Sequence, residues 1–315
     1  MTMAIKSTSG LLGQLPSVRG ELRAYVPLAR YTWFRVGGPA EVLFTPADSD
    51  DLSGFLKDCP KNIPITVIGL GSNLLIRDGG IPGVVIRLVR GLSVVRCVDD
   101  EIVAGAGALS VRVSRLAALA GIGGLEFLSG VPGSIGGAVR MNAGAYGKDV
   151  SDVLVSAVAI DRAGLSWERT AEEFCFSYRK SLGLAKDTIV IAARFRGYAE
   201  TSGKITERMD EIQQFRFGSQ PVRDRTGGST FTNPPQDEAW RLIDSAGCRG
   251  LRLGGALVSE KHCNFLVNTG SATAADIECL GEEVRRRVFH KTGTRLEWEI
   301  QRLGCHDRWA ESCNA

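Results

Sequence analysis

Histidine is scarce in this chain. His262, His290 and His306 are the only three among 315 residues, and none stands in a His-x-x-x-His or His-x-x-Glu spacing, so no catalytic metal centre is expected. Eight cysteines (59, 97, 175, 248, 263, 279, 305 and 313) lie scattered without a Cys-x-x-Cys pair in a chain too long for a disulfide scaffold. They read as reduced thiols. No apolar run is long enough to span a bilayer, and the opening "MTMAIKSTSGLLGQLPSVRGE" lacks the apolar core of a signal peptide, so a cytoplasmic protein with no membrane partner is expected. Neither charge sign dominates: 38 Lys and Arg, dispersed along the chain, face 35 Asp and Glu. That balance excludes the footprint of a dedicated nucleic-acid binder and leaves room for an anionic small molecule. Internal repeats, low-complexity tracts and heptads are absent too. What remains is an ordinary globular composition, 44% hydrophobic and 23% charged, with a length that suits two domains or one large one.

Glycine, by contrast, is abundant, with 38 residues, many at the ends of short β-branched runs. "AEVLFTP" (40 to 46) reads as a strand, "DSDDLSGFLKDC" (48 to 59) as a capped helix and "PITVIG" (64 to 69) as a buried strand, a β-α-β opening. Residues 83–88, 92–98 and 101–107 follow as strands, then a helix over 108–121 ended by Gly121. Strands resume at 153–161 and 188–198, so the first 200 residues read as one α+β domain. A polar helix over 205–216 leads to a second domain. There, Thr273 and Asp276 cap a helix from Ala274 to His290 with Ile277, Leu280, Val284 and Val288 on one face, and Glu282/Arg286 and Glu283/Arg287 pair along its outer side. The closing "RLEWEIQ" (295 to 301) alternates as a strand, Leu296, Trp298 and Ile300 inward, Glu297, Glu299 and Gln301 toward solvent.

Three glycine-rich turns follow strands. "GLGSNLLI" (69 to 76) departs from a dinucleotide fingerprint at Leu74 and is followed by strand-like residues; "GAGALS" (105 to 110) precedes a helix but carries Ser110 at the third position. A tight turn explains the second equally well. The third stretch, "GLEFLSGVPGSIGGAVRMNAGAYG" (124 to 147), crowds Gly130, Gly133, Gly136, Gly137, Gly144 and Gly147 into eighteen residues, with Ser134 and Asn142 adding hydrogen-bonding groups. Such a loop can aim backbone amides at an anion and admit a flat ring against main chain, and its length favours cofactor binding over a plain surface connection. In "FCFSYRKS", Tyr178 and Arg179 adjoin a strand, and the arginine fork suits a carboxylate if it faces a cleft. Ser229 follows Gly227 and Gly228 without a nucleophile elbow, and His262 is poorly placed as its base, so a hydrolase triad is unconvincing.

These motifs, in this order, resemble the UDP-N-acetylenolpyruvoylglucosamine reductase family. The likeness runs from "TWFRVGGPAEV" (32 to 42) through "GLGSNLLIRDGG", "LEFLSGVPGSIGGAVRMNAGAYG", "FSYRKS", "GGSTFTNP", "AWRLIDSAGCRG" and "HCNFLVN" to "LEWEIQRLG" (296 to 304). It implies an α+β protein in four parts: an N-terminal extension (1–33), an FAD-binding domain of the vanillyl-alcohol-oxidase (PCMH) type (34–199), a smaller α+β substrate-binding domain (200–305) and a tail (306–315). The implied reaction is NADPH-dependent reduction of UDP-N-acetylglucosamine enolpyruvate to UDP-N-acetylmuramate for peptidoglycan, by a cytoplasmic monomer. Hydride passes from reduced FAD to C3 and a proton goes to C2. By the resemblance, Arg179 holds the carboxylate, Ser229 donates the proton and Glu299, rather than Glu297, supports them, while Tyr178 and Asn233 contact substrate. FAD contacts are implied at Gly69, Gly71, Ser72, Asn73 and Leu74, and at Ser129, Gly130, Pro132, Gly133, Ile135, Gly136, Gly137, Asn142, Gly144 and Ala145. The sequence departs from many members at Thr232, where they carry a basic residue, and "SLGLAKD" after Arg179 leaves no room for the tyrosine-bearing lid loop that some possess.

Overall fold

The computed structural model describes residues 10–306. The expected tail, His306 excepted, lies outside that range, as do Cys313 and the start of the N-terminal extension. Contacts divide the chain into two compact units. One comprises the chain up to Val26, Glu41–Leu70 and Gly83–Gln213; the other comprises Pro27–Ala40, Gly71–Pro82 and the chain from Gln214 onward.

Two sheets build the first unit. In the four-stranded sheet the order is Glu21–Pro27, Pro39–Thr45, Ile81–Arg87, Ile65–Ile68. Asp48 starts helix α1 (Ser49–Asp58) by accepting from the amides of Asp50 and Asp51, a cap worth about 1 kcal/mol. The helix then buries Leu52, Phe55 and Leu56, with the Phe55 ring 4.4 Å from that of Phe44. Strand Ile65–Ile68 was expected to be buried, yet only Ile68 is. It occupies the sheet edge, paired in parallel with Ile81–Arg87 alone, so one flank has no neighbour to cover it.

The second sheet is an antiparallel five-stranded one, ordered Ser166–Thr170, Leu154–Ile160, Ile189–Arg196, Glu101–Gly105, Val95–Val98. Helix α2 (Ser110–Leu119) packs Val113, Ala117 and Ala118 inward and stops at Gly121, whose φ of +70° is one that glycine adopts without strain. The stretch expected as a long loop is structured: a 3-10 turn at Glu126–Ser129, helix α3 (Ile135–Arg140) and a hairpin pairing Gly144–Ala145 with Lys148–Asp149. Ile135, Ala138 and Val139 are apolar at helical spacing and bury in the same core as Ala104 and Phe195. Helix α4 (Ser202–Ser219) follows, as its polar pattern indicates, burying only Ile205 and Met209.

The second unit centres on an antiparallel sheet in the order Arg225–Thr226, Leu266–Asn268, Ala256–Val258, Arg252–Leu253, covered by α5 (Ala239–Ser245) and α6 (Ala274–Thr292). Thr273 and Asp276 form the expected capping box of α6, which ends at Gly293 with φ +73°. Ile277, Leu280, Val284 and Val288 face the core with Phe34, Phe231, Leu266, Leu296 and Ile300. Asp78, from the inserted segment, accepts from the amides of Ala274 and Ala275 at 3.0 and 2.9 Å, and Arg77 grips Glu278 with two bonds of 2.9 and 2.8 Å. Arg77 thereby holds the Glu278 carboxyl below its ordinary pKa, against the burial that raises it. On the exposed side Glu283 pairs with both Arg286 and Arg287, while Glu282 turns to Arg285 and Arg302 instead of the expected Arg286.

Residues 295–301 do not form the expected strand. The alternation holds, with Leu296 and Ile300 buried, but the ladder forms one step later, where Gln301–Leu303 pairs in parallel with Leu74–Ile76. Within the expected range an isolated bridge joins Phe231 to Trp298, and the ladder begins at Gln301. No helix among the described residues is long and apolar enough to cross a membrane. The described cysteines are all unpaired.

Candidate active site

In the second unit the turn after strand Arg225–Thr226 presents Ser229. Gly227 is required by packing, because a Cβ there would overlap the Phe34 ring, and Gly228 by conformation, with φ +83° and open space around it. Ser229 is half-buried, and among the described residues nothing bonds its hydroxyl. The two residues after it are locked. Thr230, fully buried, donates its amide to the Asn264 carbonyl at 2.7 Å, and its own carbonyl accepts from the Glu299 amide at 2.9 Å. Phe231 gives its amide to Asn264 Oδ1 at 3.0 Å, while its carbonyl accepts from Asn264 Nδ2 at 2.9 Å.

That arrangement brings Ser229 and Glu299 onto adjoining segments and adds a third expected residue. Asn73 donates its side-chain amide to the Glu299 carbonyl at 3.0 Å, and its own carbonyl accepts from the Gln301 amide at 3.0 Å. Glu299 is half-buried whereas Glu297 is exposed, which separates two carboxylates that alternation alone treats alike. Asn233 is exposed and spends its Oδ1 on the amide of Ala239 at the start of α5. His262 is no base for Ser229. Its Nδ1 accepts from the Asn264 amide at 3.3 Å, and burial beside Phe265 and Trp240 pushes its pKa below the ordinary value.

Tyr178 and Arg179 belong to the first unit, at the two-residue turn joining Phe176–Ser177 to Lys180–Ser181. Arg179 has φ +58°, a conformation that a non-glycine residue holds only when its surroundings impose it. Its guanidinium lies 5.0 Å from the Tyr178 ring centroid, and a Cβ on Gly144 would come within 3.1 Å of its Nη1. Buried Asn142 steadies this hairpin. Its Nδ2 donates to the Ser177 carbonyl at 3.2 Å and to Asp149 at 3.1 Å, while Oδ1 accepts from the Ser151 amide at 3.0 Å.

The expected FAD contacts divide between the units: Gly69 and residues 129 to 145 in the first, Gly71, Ser72, Asn73 and Leu74 in the second. Chain packing accounts for part of the glycine content. A Cβ on Gly71 would strike the Tyr31 carbonyl, one on Gly130 the Tyr146 ring, and one on Gly136 would lie 2.8 Å from Ala106 Cβ. The amides of Ile135 and Gly136 bond to the carbonyls of Ala108 and Ala106 at 2.9 and 2.8 Å, so they do not aim at an anion. Gly137 is open, and Gly133 takes φ +116°.

Two observations fit a bound cofactor. The Ser129 hydroxyl is buried with no partner, a costly state for a polar atom unless a ligand completes it. The first unit also holds a pocket of about 380 Å³ whose lining includes Leu70, Arg87, Val89, Gly107, Leu109 and Arg112. It brings Leu70 beside the "GAGALS" turn and supplies two guanidinium groups beside apolar walls. Sequence reasoning missed Arg87, Arg112 and Asn264: the arginines sit in unremarkable strand and helix patterns, and Asn264 works on backbone that is 33 positions away.

A family model described as the C-terminal domain of UDP-N-acetylenolpyruvoylglucosamine reductase matches residues 220–303, and an FAD-binding-domain model matches residues 40–168. The sequence is 57% identical over 302 residues to the UDP-N-acetylenolpyruvoylglucosamine reductase of Parvibaculum lavamentivorans, covering 96% of this chain and 97% of that protein. The chain belongs to this reductase family. A second member, from Rhodospirillum rubrum, is 53% identical over 307 residues and 96% of each chain. The crystal structure of the UDP-N-acetylenolpyruvylglucosamine reductase of Thermus caldophilus superposes with a TM-score of 0.78 at 37% identity, over 91% of this chain and all of that one. As a member of the reductase family the protein is an α+β oxidoreductase of peptidoglycan synthesis, and FAD is its cofactor.

Proposed function

We propose that this protein reduces UDP-N-acetylglucosamine enolpyruvate to UDP-N-acetylmuramate at the expense of NADPH, in the cytoplasm, with Ser229 as the proton donor to C2. Bound FAD, once reduced by NADPH, supplies the hydride for C3 of the enolpyruvyl group. Negative charge then gathers on C2 and the adjoining carboxylate, and the protein's own groups must stabilise and discharge it. The planar fork of Arg179 suits the carboxylate. Ser229 transfers its hydroxyl proton to C2, closing the reduction of the double bond. An aliphatic hydroxyl is a weak acid, so the transfer works because the carbon it protonates is strongly basic. Glu299 supports the same charge change from the neighbouring segment, and Tyr178 and Asn233 contact substrate. For FAD, the orphaned Ser129 hydroxyl and the residues around it, with the arginine-bearing pocket of the first unit, are the binding groups this chain offers.

The observation that carries the reading is the free Ser229 hydroxyl on a turn whose next two residues are fixed by six hydrogen bonds. An unengaged hydroxyl on such a base is preorganised for a ligand rather than for the fold. Ser229→Ala should leave flavin reduction by NADPH intact and slow flavin reoxidation by the enolpyruvyl substrate by about 10²–10⁴-fold. Stopped-flow absorbance of the two half-reactions reads both, and equal losses in the two halves would refute the assignment. Anaerobic NADPH oxidation indifferent to the enolpyruvyl substrate would instead favour another flavin-dependent activity.

A further inference from the structure

We infer that Asn264 is a positioning residue for proton transfer, acting through the backbone that carries Ser229; the inference rests on the proton-donor role proposed for that serine. Residues 229–231 lie outside any regular strand, and among the described residues their only bridge is the isolated one from Phe231 to Trp298. A segment of this kind has no ladder to set its peptide planes. Asn264 provides the substitute. Its carboxamide has the donor and acceptor of a peptide group, and it engages both the amide and the carbonyl of Phe231 while its main-chain carbonyl takes the Thr230 amide. On the opposite side Thr230 and Thr232 bond to the main chain of Glu299 and Glu297 at 2.9 Å each. The peptide planes on either side of Thr230 are therefore clamped from two flanks, and one more bond along the chain is the Cα of Ser229.

The same clamp reaches the supporting carboxylate, because the Glu299 amide rests on the Thr230 carbonyl. Asn264 is itself buried at 4% exposure, and its ring neighbour His262 accepts its amide. Glu297 and Glu299 meet this frame through main-chain bonds. What Asn264 fixes is thus the direction in which the serine hydroxyl leaves the turn, together with the spacing of serine and glutamate.

Asn264→Leu removes both carboxamide bonds at nearly constant volume, and Asn264→Asp retains the acceptor while setting a carboxylate against the Phe231 carbonyl. The measurements use the FAD-loaded full chain: stopped-flow rates for reduction by NADPH and for reoxidation by UDP-N-acetylglucosamine enolpyruvate, substrate affinity, and the double variant with Ser229→Ala. A positioning role predicts reoxidation slower by about 100-fold in Asn264→Leu, the loss that an error of about 1 Å in placement produces. Reduction by NADPH and substrate affinity should stay within about threefold, and Asn264→Asp should fall between wild type and Asn264→Leu. The decisive expectation is non-additivity: with Ser229→Ala already in place, the Asn264 substitution should slow reoxidation no further. Multiplying losses, or equal losses in both half-reactions, would overturn the inference and leave Asn264 a purely structural residue. If Asn264→Leu does not fold, Asn264→Asp alone carries the same comparison. If Ser229→Ala reoxidises normally, the proton-donor reading falls and this inference with it; if only Ser229→Ala is slow, the inference falls and that reading stands.

Discussion

The two glycine-dense segments that bear the expected functional residues are held by different means. Between 130 and 147 part of the bracing is local, Asn142 closing the following hairpin from within, while α3 docks its first amides on Ala106 and Ala108. Between 227 and 231 the bracing comes from afar, through Phe34, Asn264 and Glu299. In both segments several glycines exist because another part of the protein occupies the space a side chain would need. The glycines with room around them are fewer, Gly137 and Gly147 in the first segment and Gly228 in the second. Gly147 and Gly228 take positive φ and are explained by conformation, so among these only Gly137, open without it, points to a ligand.

Substitution to alanine separates the two kinds, with the largest effect expected where the neighbour cannot yield. At Gly227 the added methyl would overlap the ring of Phe34, which is fully buried in the second unit's core. Gly227→Ala should destabilise the holoenzyme by about 3 kcal/mol, the upper range for overpacking. Urea denaturation followed by tryptophan fluorescence measures it; a loss below about 1 kcal/mol would mean that Phe34 moves aside and that packing is not the reason for this glycine.

Gly136 tests the same idea in the first segment. Its Cβ would sit 2.8 Å from that of Ala106, so Gly136→Ala sets an overpacking cost of about 1–3 kcal/mol against a gain of up to about 1 kcal/mol in helix propensity. A net loss near 1–2 kcal/mol is expected. Shrinking the neighbour in Gly136→Ala/Ala106→Gly should recover part of it, and failure to recover would assign the defect to something other than this contact.

The difference between the segments also explains what the sequence made legible. Helix α6 was readable from its cap to near its end, because its capping box and its apolar stripe at Ile277, Leu280, Val284 and Val288 are local patterns that the core then used as written. Strand Glu21–Pro27 was not, since it buries only Val26 and carries Tyr25 at φ +52°, leaving no alternation to detect. Nor was the recruitment of residues 71–82 to the second unit, which depends on Asp78 and Arg77 meeting α6 196 and 201 positions away. In "RLEWEIQ" the alternation held at Leu296, Glu297 and Ile300 but left Glu299 half-buried, and the partner was not the expected kind, because the main chain at 297 and 299 bonds to 230–232 in place of a ladder. Ser229 and Glu299 stood out as members of recognisable motifs. Asn264 did not, because a side chain that bonds to backbone leaves no trace in the identity of the residues it holds.

The smallest stability effect, and the sharpest separation, is expected one residue beyond Gly136. At Gly137 an added Cβ would find only Ser134 Oγ, 3.9 Å away, so the fold leaves this helical glycine free to be alanine. Propensity alone would then stabilise the protein by up to about 1 kcal/mol. A glycine that the fold does not need, in a segment expected to contact FAD, is best explained by a ligand that comes close to its backbone. Gly137→Ala should therefore match or exceed the wild-type unfolding free energy once FAD has been stripped, yet bind FAD more weakly by on the order of tenfold, a cost of about 1.4 kcal/mol at the contact. Flavin fluorescence titration of the stripped protein reads the affinity, and denaturation of the same sample reads the fold. Unchanged FAD affinity would remove Gly137 from the cofactor site, whereas a stability loss equal to that of Gly136→Ala would show that the first segment, like Gly227 in the second, keeps its glycines for packing alone.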